Sequence, residues 1–319
     1  MQPNLIYTAS GLDRQANFRT DAEWLSQQEN HNEMRVVPVW HDKNLIQGME
    51  VNPVPVMPSG KTGRRLLRVA ETVLFLGLNE GTPLFGVDLS NISEEDLTIL
   101  LGPAPKFADL RTTGWLLPRD QAAILAYARG LAYWHRVNGY CGHCGNPTKI
   151  TNGGHVRKCR SDTCEREVYP RTDPAVIMLV IDDGIGNEGP RCLLGRHARW
   201  NFAMYSTLAG FVEPGESLEE AVAREVFEES GLPLKDITYM ASQPWPFPAS
   251  LMLGYRATAT ATKIQIDTEE LADARWFTPG EILQFDEWGS DTPDHLPRLP
   301  RKDSIARWLI ETWLSDVRL

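Results

Sequence analysis

Between Gly210 and Leu232 the chain faces an electrostatic problem that limits what it can fold into. The segment runs Gly210, Phe211–Gly215, Glu216, Ser217–Ala223, then Arg224-Glu225-Val226-Phe227-Glu228-Glu229-Ser230-Gly231-Leu232. Ser217 and Glu220 form a capping box that starts a helix, and Gly231 supplies its stop. The spacing predicts a helix over Leu218–Ser230. At roughly 100° per residue Leu218 and Val222 define an apolar face, and Glu225 and Glu229 fall within about 20° of Leu218 on that same face. Glu228 lies alongside. Like charges at such spacings repel, and burying them is costly unless something compensates. A hard divalent cation does so through oxygen ligands. Arg224 sits one turn before Glu228 and can orient it by a charge-assisted bond. A solvated acidic helix face is the plainer alternative. It accounts for the charges but not for their place over the apolar stripe.

A second constraint is the spacing of four of the five cysteines: Cys141, Cys144, Cys159 and Cys164 form C-x2-C-x14-C-x4-C. Two pairs on tight turns can bring four thiolates to the corners of a tetrahedron around Zn²⁺. Gly142 and Gly145 help the first pair to turn. Such a site has no open position and would be structural; four reduced cysteines without metal are the plainer alternative. Cys192, alone in an apolar stretch, reads as core.

These features sit in an ordinary composition, 42% apolar and 23% charged over 319 residues. A net charge of −10 argues against broad nonspecific nucleic-acid binding but leaves room for a local patch such as His155, Arg157, Lys158 and Arg160. The N-terminal residues show no secretory pattern, and the longest apolar run, Ala175–Ile181, is far too short to span a membrane. A soluble cytoplasmic protein is expected, with no membrane partner.

Three segments are expected. Residues 1–138 form an N-terminal mixed α/β domain with a hairpin, Thr72–Leu78 and Pro83–Asp88 around Asn79–Gly81. Its stretch Gly48–Gly63, rich in proline and glycine, reads as a loop, and a helix capped by Asp120 runs to about Asn138. Residues 139–170 form a cysteine-punctuated ribbon. Residues 171–319 carry strands at Ala175–Ile181, Arg191–Gly195, Ser250–Ala261 and Ala274–Phe277, with a closing amphipathic helix over Ser304–Val317, and suit a mixed sheet with helices packed on it.

The segment from Gly210 matches the signature G-x5-E-x7-R-E-U-x-E-E-x-G-U at every fixed position and resembles that of the Nudix hydrolases. Ser242-Gln243-Pro244-Trp245-Pro246-Phe247-Pro248-Ala249-Ser250 resembles the S-Q-P-W-P-F-P-x-S motif of the NADH pyrophosphatases within that family, as does the ribbon followed by Tyr169-Pro170-Arg171. The resemblance covers roughly residues 139–280 and implies an α/β/α sandwich Nudix fold behind a zinc ribbon and a Nudix-like accessory domain. It implies that Glu225 and Glu229, with the Ala209 carbonyl and a distal glutamate, hold Mg²⁺ or Mn²⁺. Glu270 is chosen for that last place, with Glu269 the near alternative. Glu228 or Glu229 would polarise the water that attacks phosphorus.

On the same resemblance the substrate would meet Tyr169 and the segment Gln243, Pro244, Trp245, Pro246, Phe247, Pro248, Ala249 and Ser250. Phe211, Ala306 and Arg111 are further candidates. Trp245 and Phe247, on a proline-stiffened segment, suit stacking on a base, but packing on the protein's own core is the alternative. The expected reaction is cleavage of NADH or NAD to nicotinamide mononucleotide and AMP by a homodimer. The alternatives are removal of NAD caps from RNA by the same chemistry, and a noncatalytic nucleotide sensor. Loss of a signature carboxylate would favour the sensor, and none is missing.

Overall fold

The computed structural model describes residues 5–49, 52–184 and 189–317. Its chain divides into two compact units: Ile6–Thr172 with Pro244–Ala249, and Asp173–Gln243 with Ser250–Leu319, the latter also including Leu5.

In the first unit β1 (Arg35–Trp40), β2 (Lys43–Gln47), β3 (Val54–Pro55), β4 (Thr72–Asn79), β5 (Thr82–Asp88) and β6 (Lys106–Ala108) form one sheet. Its order is β3-β2-β1-β5-β4, with β6 also on β2, and β1 runs parallel to β5. The expected hairpin is β4–β5. Asn79 pairs with Thr82, so Glu80 and Gly81 alone make the turn. Both have positive φ, 49° and 84°, as a tight turn matching strand twist requires.

Helices α1 (Ala22–Glu29), α2 (Gly60–Val69), α3 (Glu94–Leu101), α4 (Leu110–Thr113) and α5 (Arg119–Val137) belong to the same unit. Alternation along the strands sends Val37, Val39, Leu74 and Leu76 into the core with α5. Val36, Phe75, Phe85 and Val87 go to the opposite core with Leu66 of α2 and Leu97 of α3. Two details differ from expectation. The stretch 48–63, part of which lies outside the described residues, contains β3 and the start of α2, because an edge strand tolerates proline. Helix α5 begins after Pro118, so Asp120 lies inside its first turn, where its charge faces the positive end of the helix.

The ribbon expected as a segment of its own, 139–170, is grouped with this unit. Its strands β7 (Thr148–Thr151), β8 (Val156–Cys159) and β9 (Glu167–Val168) form an antiparallel sheet. The turn between β7 and β8 lies on β4, where a Cβ on Gly154 would come within 2.6 Å of a Leu74 methyl carbon. The buried His135 of α5 shares a 2.8 Å hydrogen bond with the Gly154 carbonyl.

The second unit is built on β10 (Asp173–Asp182), β11 (Arg191–His197), β12 (Leu208–Phe211), β13 (Leu234–Trp245), β14 (Ser250–Ala259) and β15 (Leu271–Phe277). The order is β13-β14-β10-β11-β15, with β12 on β10, and β10 is parallel to β14 while antiparallel to β11 and β12. Three helices accompany it: α6 (Leu218–Ser230), α7 (Pro279–Ile282) and α8 (Ile305–Asp316). The apolar run of β10 serves both faces. Val176, Met178 and Val180 join Ala221, Val222 and Val226 of α6 in one core. Ile177, Leu179 and Ile181 join Ile305, Leu309, Ile310 and Trp313 of α8 in another. The result is the α/β/α layering expected of residues 171–319.

Met178, fully buried between β10 and α6, tests this layering. Met178→Ala should lower the unfolding free energy by about 2–5 kcal/mol. Ile99→Ala, at an exposed position, should cost about 0.5 kcal/mol or less. Urea unfolding followed by tryptophan fluorescence and circular dichroism measures both.

Candidate active site and cysteine cluster

Helix α6 starts as its sequence dictates. The Ser217 backbone N–H donates to Glu220 Oε2 at 2.7 Å, and the Glu220 N–H donates to Ser217 Oγ at 3.2 Å. Gly231 ends it with φ 69°. Ahead of it lies the loop from β12, and Arg224 ties loop to helix. Its guanidinium donates to both Glu216 carboxylate oxygens, at 2.7 and 2.9 Å, and to the Phe211 carbonyl at 2.9 Å. It also reaches Glu225 at 2.9 Å and Glu228 at 3.3 Å. The sequence pairs Arg224 with Glu228, whereas Glu216 is the two-pronged partner; only the fixed spacing of the signature hinted at that. Gly210 is needed for another reason. A Cβ there would stand 1.9 Å from the Glu225 carboxyl carbon, so the glutamate lies directly against the backbone after Ala209.

The charges are unevenly compensated. Arg224 holds the Glu216 carboxyl below its ordinary range, and Arg224 itself is held protonated, chiefly by Glu216. Glu225 is pushed up by burial, with Arg224 opposing the shift. Glu229 is buried, 6% exposed, and no donor among the described residues reaches its carboxylate. Burial first, then the charges of Glu225, Glu270 and Glu228, push it up to about 8. Glu270 acts electrically on both Glu225 and Glu229, which separates it from its neighbour Glu269. A buried carboxylate among three others, with no donor among the described residues, favours either a proton or an oxygen-preferring divalent cation. These oxygens do not converge as tightly as the cysteines do. Among the described residues the four thiols are the one group of three or more donors all within 4.8 Å of one another.

The thiols stand in two close pairs, Cys144–Cys159 at 3.5 Å and Cys141–Cys164 at 3.8 Å between sulfurs. Tetrahedral Zn–S bonds of about 2.3 Å put sulfurs roughly 3.8 Å apart, so the cluster could hold zinc. Cys192 is buried in the core between β10 and α8.

The expected substrate residues divide between the units. In the second, Phe211 is exposed beside Gly210 at the acidic patch. Gln243 is fully buried, and its amide donates to the Asp303 carbonyl at 2.6 Å and accepts from the Ile305 N–H at 2.8 Å, so it supports the start of α8. Ala306 lies in the core under the sheet, and Ser250 opens β14 opposite Asp173. In the first unit Tyr169 is exposed, its hydroxyl donating to Glu167 at 2.8 Å. Pro246 is buried, Pro244 and Pro248 are exposed, and Ala249 is half-buried. Trp245 and Phe247 are half-buried, edge-on to Tyr7 at 6.0 and 5.8 Å and to each other at 5.0 Å. Arg111 and Arg129 approach the Phe247 ring at 5.1 and 4.7 Å. The packing alternative thus describes much of both rings' surface. Sequence reasoning missed Arg129, whose position in a helical pattern gave no sign of this contact. Of the basic patch, His155 is withdrawn: burial and the neighbouring Arg19 push it down to about 4, and it shares a 2.5 Å hydrogen bond with Tyr127.

Comparison with known proteins adds family information. A profile described as the NUDIX domain matches residues 171–299, and one described as an NADH pyrophosphatase-like rudimentary NUDIX domain matches 33–134. "NAD-capped RNA hydrolase NudC" of Stutzerimonas stutzeri (strain A1501) is 38% identical over 240 residues, covering 75% of this chain and 76% of that protein. "Nudix hydrolase 19, chloroplastic" of Arabidopsis thaliana is 43% identical over 225 residues, covering 66% of this chain and 50% of its own length. "NAD-capped RNA hydrolase NUDT12" of Homo sapiens is 43% identical over 204 residues, covering 62% and 43%. The chain thus spans half or less of these last two relatives. Among the described residues no helix is long and apolar enough to cross a membrane.

The Glu229 environment makes a pH-dependent demand. The folded protein keeps a proton on Glu229 up to about pH 8, whereas the unfolded chain releases it near 4.5. Stability without divalent cation should therefore fall as pH rises between those values, because the folded state binds more protons there. Added Mg²⁺, competing with the proton, should raise the melting temperature more at pH 8 than at pH 5. Thermal melts with and without Mg²⁺ test this; a Mg²⁺ effect independent of pH would exclude Glu229 as the cation's partner.

Proposed function

The chain belongs to the Nudix hydrolase family, in the branch with an NADH pyrophosphatase-like rudimentary domain ahead of the catalytic one, and from that premise we propose that it hydrolyses the pyrophosphate of NADH or NAD to nicotinamide mononucleotide and AMP. The observation that carries the reading is the buried, donor-free Glu229 carboxylate set among Glu225, Glu228 and Glu270. Members of this family depend on divalent metal, and here the ion is proposed to be Mg²⁺ or Mn²⁺. When bound, it offsets phosphate charge and makes water more acidic. Glu225 and Glu229 would hold it, with the Ala209 carbonyl and Glu270. Arg224 positions: by fixing Glu216 and the Phe211 carbonyl it keeps the β12 loop against the helix, and by contacting Glu225 it aims that carboxylate. Glu228, with its side chain 59% exposed, is the carboxylate of this helix face most open to solvent and is proposed to contact the attacking water. Phe211 offers an exposed ring beside these carboxylates for a base, and Tyr169 stays a substrate candidate on the family resemblance alone.

Removal of NAD caps from RNA by the same chemistry is the second reading, favoured by the names of the relatives from Stutzerimonas and human. A homodimer completes the proposal on resemblance alone.

Glu229→Gln keeps size and removes charge, so kcat for NADH should fall roughly 100-fold or more while the fold persists. Steady-state kinetics on NADH, NAD, ADP-ribose and NAD-capped RNA, with Mg²⁺ and Mn²⁺, measures this and ranks the substrates. An unchanged kcat would remove Glu229 from the site. The cysteine cluster should hold one zinc per chain after exhaustive dialysis, and Cys141→Ser should lower both the zinc content and the melting temperature. Elemental analysis decides it, and zinc unaffected by the substitution would rule out the assignment.

A further inference from the structure

A second place in the molecule has the chemistry of a binding site, and it lies wholly within the first unit. A cavity of about 430 Å³ opens where the end of α5 meets the ribbon hairpin β7–β8 and the strands β4 and β5. His135, Arg136, Gly139, Lys149, Arg157 and Arg160 line one part of it, and Glu71, Asp88 and Asn91 are among the residues lining the rest.

The charges there do not cancel. Arg136 is spent on two carboxylates, Asp42 and, at 3.3 Å, Asp88. Arg157 is held rigidly: its Nε donates to Thr148 Oγ1 at 2.6 Å and its Nη1 to the His135 ring at 3.0 Å and the His135 carbonyl at 3.0 Å. That bond needs His135 neutral, and burial keeps it so, pushing it down to about 4. The other terminal nitrogen of Arg157 has no partner among the described residues. Lys149 and Arg160 are exposed and likewise have none there, while Lys158 is paired with Glu165 at 3.1 Å. Beyond the Arg136 pairs, the lining holds three cations, Lys149, Arg157 and Arg160, against one carboxylate, Glu71, whose charge acts on Arg157, on a chain whose net charge is −10. Such a local reversal of sign attracts anions.

An aromatic face stands next to these cations. Tyr140 is 72% exposed and follows Gly139, a cavity-lining residue. It bridges to Pro147, whose carbonyl accepts from the Arg160 N–H at 3.0 Å, so the backbone sets Tyr140 and Arg160 on either side of one residue. Cations that track phosphates beside a ring on which a base can stack are the elements of single-strand nucleic-acid binding.

We propose that this cleft binds the ribose–phosphate chain of single-stranded RNA, with Lys149, Arg157 and Arg160 on phosphates and Tyr140 stacked on a base. It rests on the capped-RNA reading only for its biological purpose. The residues assigned to it are none of those proposed to meet the nicotinamide end or to hold the cation. It gives a reason for a polyanion to approach an acidic protein.

The test uses the full chain loaded with zinc and a Lys149→Gln/Arg160→Gln variant, both changes being at exposed side chains, together with Tyr140→Ala. Fluorescence anisotropy with an uncapped 20-nucleotide RNA reads the cleft without any turnover. The double variant should bind about tenfold or more weakly at low salt, and its salt dependence should fall by about 1.4 in log–log slope. Tyr140→Ala should weaken binding about fivefold or more. On NADH both variants should keep kcat/KM within about twofold of wild type, while kcat/KM on NAD-capped RNA falls. RNA binding unchanged in all variants overturns the proposal. So does an equal loss on NADH and capped RNA at unchanged zinc content, since that would mark these residues as structural support. If wild type turns over neither NADH nor capped RNA, the functional reading fails, and the anisotropy still decides the cleft.

Discussion

One guanidinium organises the acidic patch. Arg224 binds Glu216 with two prongs, reaches Glu225 and Glu228, and takes the Phe211 carbonyl, so the loop after β12 and the helix that follows are one piece. Charge-assisted, two-pronged bonds of this kind fix direction as well as distance. The compensation is deliberately incomplete in its effect: Glu216 and Glu225 share the arginine, whereas Glu229, one turn beyond Glu225, receives none of it. A buried carboxylate left in that state favours either a proton or a cation. The same bond therefore builds the loop and leaves one buried carboxylate uncompensated.

The helix is held in place by packing on the sheet beneath it. β10 gives Val176, Met178 and Val180 to the α6 side and Ile177, Leu179 and Ile181 to the α8 side. A strand covered on both faces cannot slip by one residue without exchanging its two cores. β12 hangs on β10 with Ala209 opposite Ile177 and Gly210 opposite Val176, so the register of the core strand fixes where Glu225 meets the backbone.

Much of this was legible beforehand. Capping residues, glycine stops and hydrophobic period are local signals, and they placed α6, the β4–β5 hairpin, β10 and the final helix within a residue or two. The same signals could not say that Gln243 would be consumed by the start of α8, or that Trp245 and Phe247 would meet Tyr7 and two arginines. Those partners lie far along the chain, and a proline-stiffened aromatic segment reads identically whether its rings face a ligand or a core. The β3 edge strand was hidden for a related reason: proline argues against a strand in general but not against an edge.

By itself the sequence determined the chemistry on offer: a helix with carboxylates on its apolar face and four thiolates at metal-binding spacing. Periodicity and spacing carry that information because neighbours three or four residues apart must share a helix face. Only the tertiary structure decided which of those groups are satisfied. It gave Arg224 to Glu216, withdrew the half-buried His155 from the basic patch onto Tyr127, and left Glu229 without a donor and Lys149 and Arg160 without partners among the described residues. The reason is that burial and charge compensation are sums over everything nearby in space, and distance along the chain does not report them.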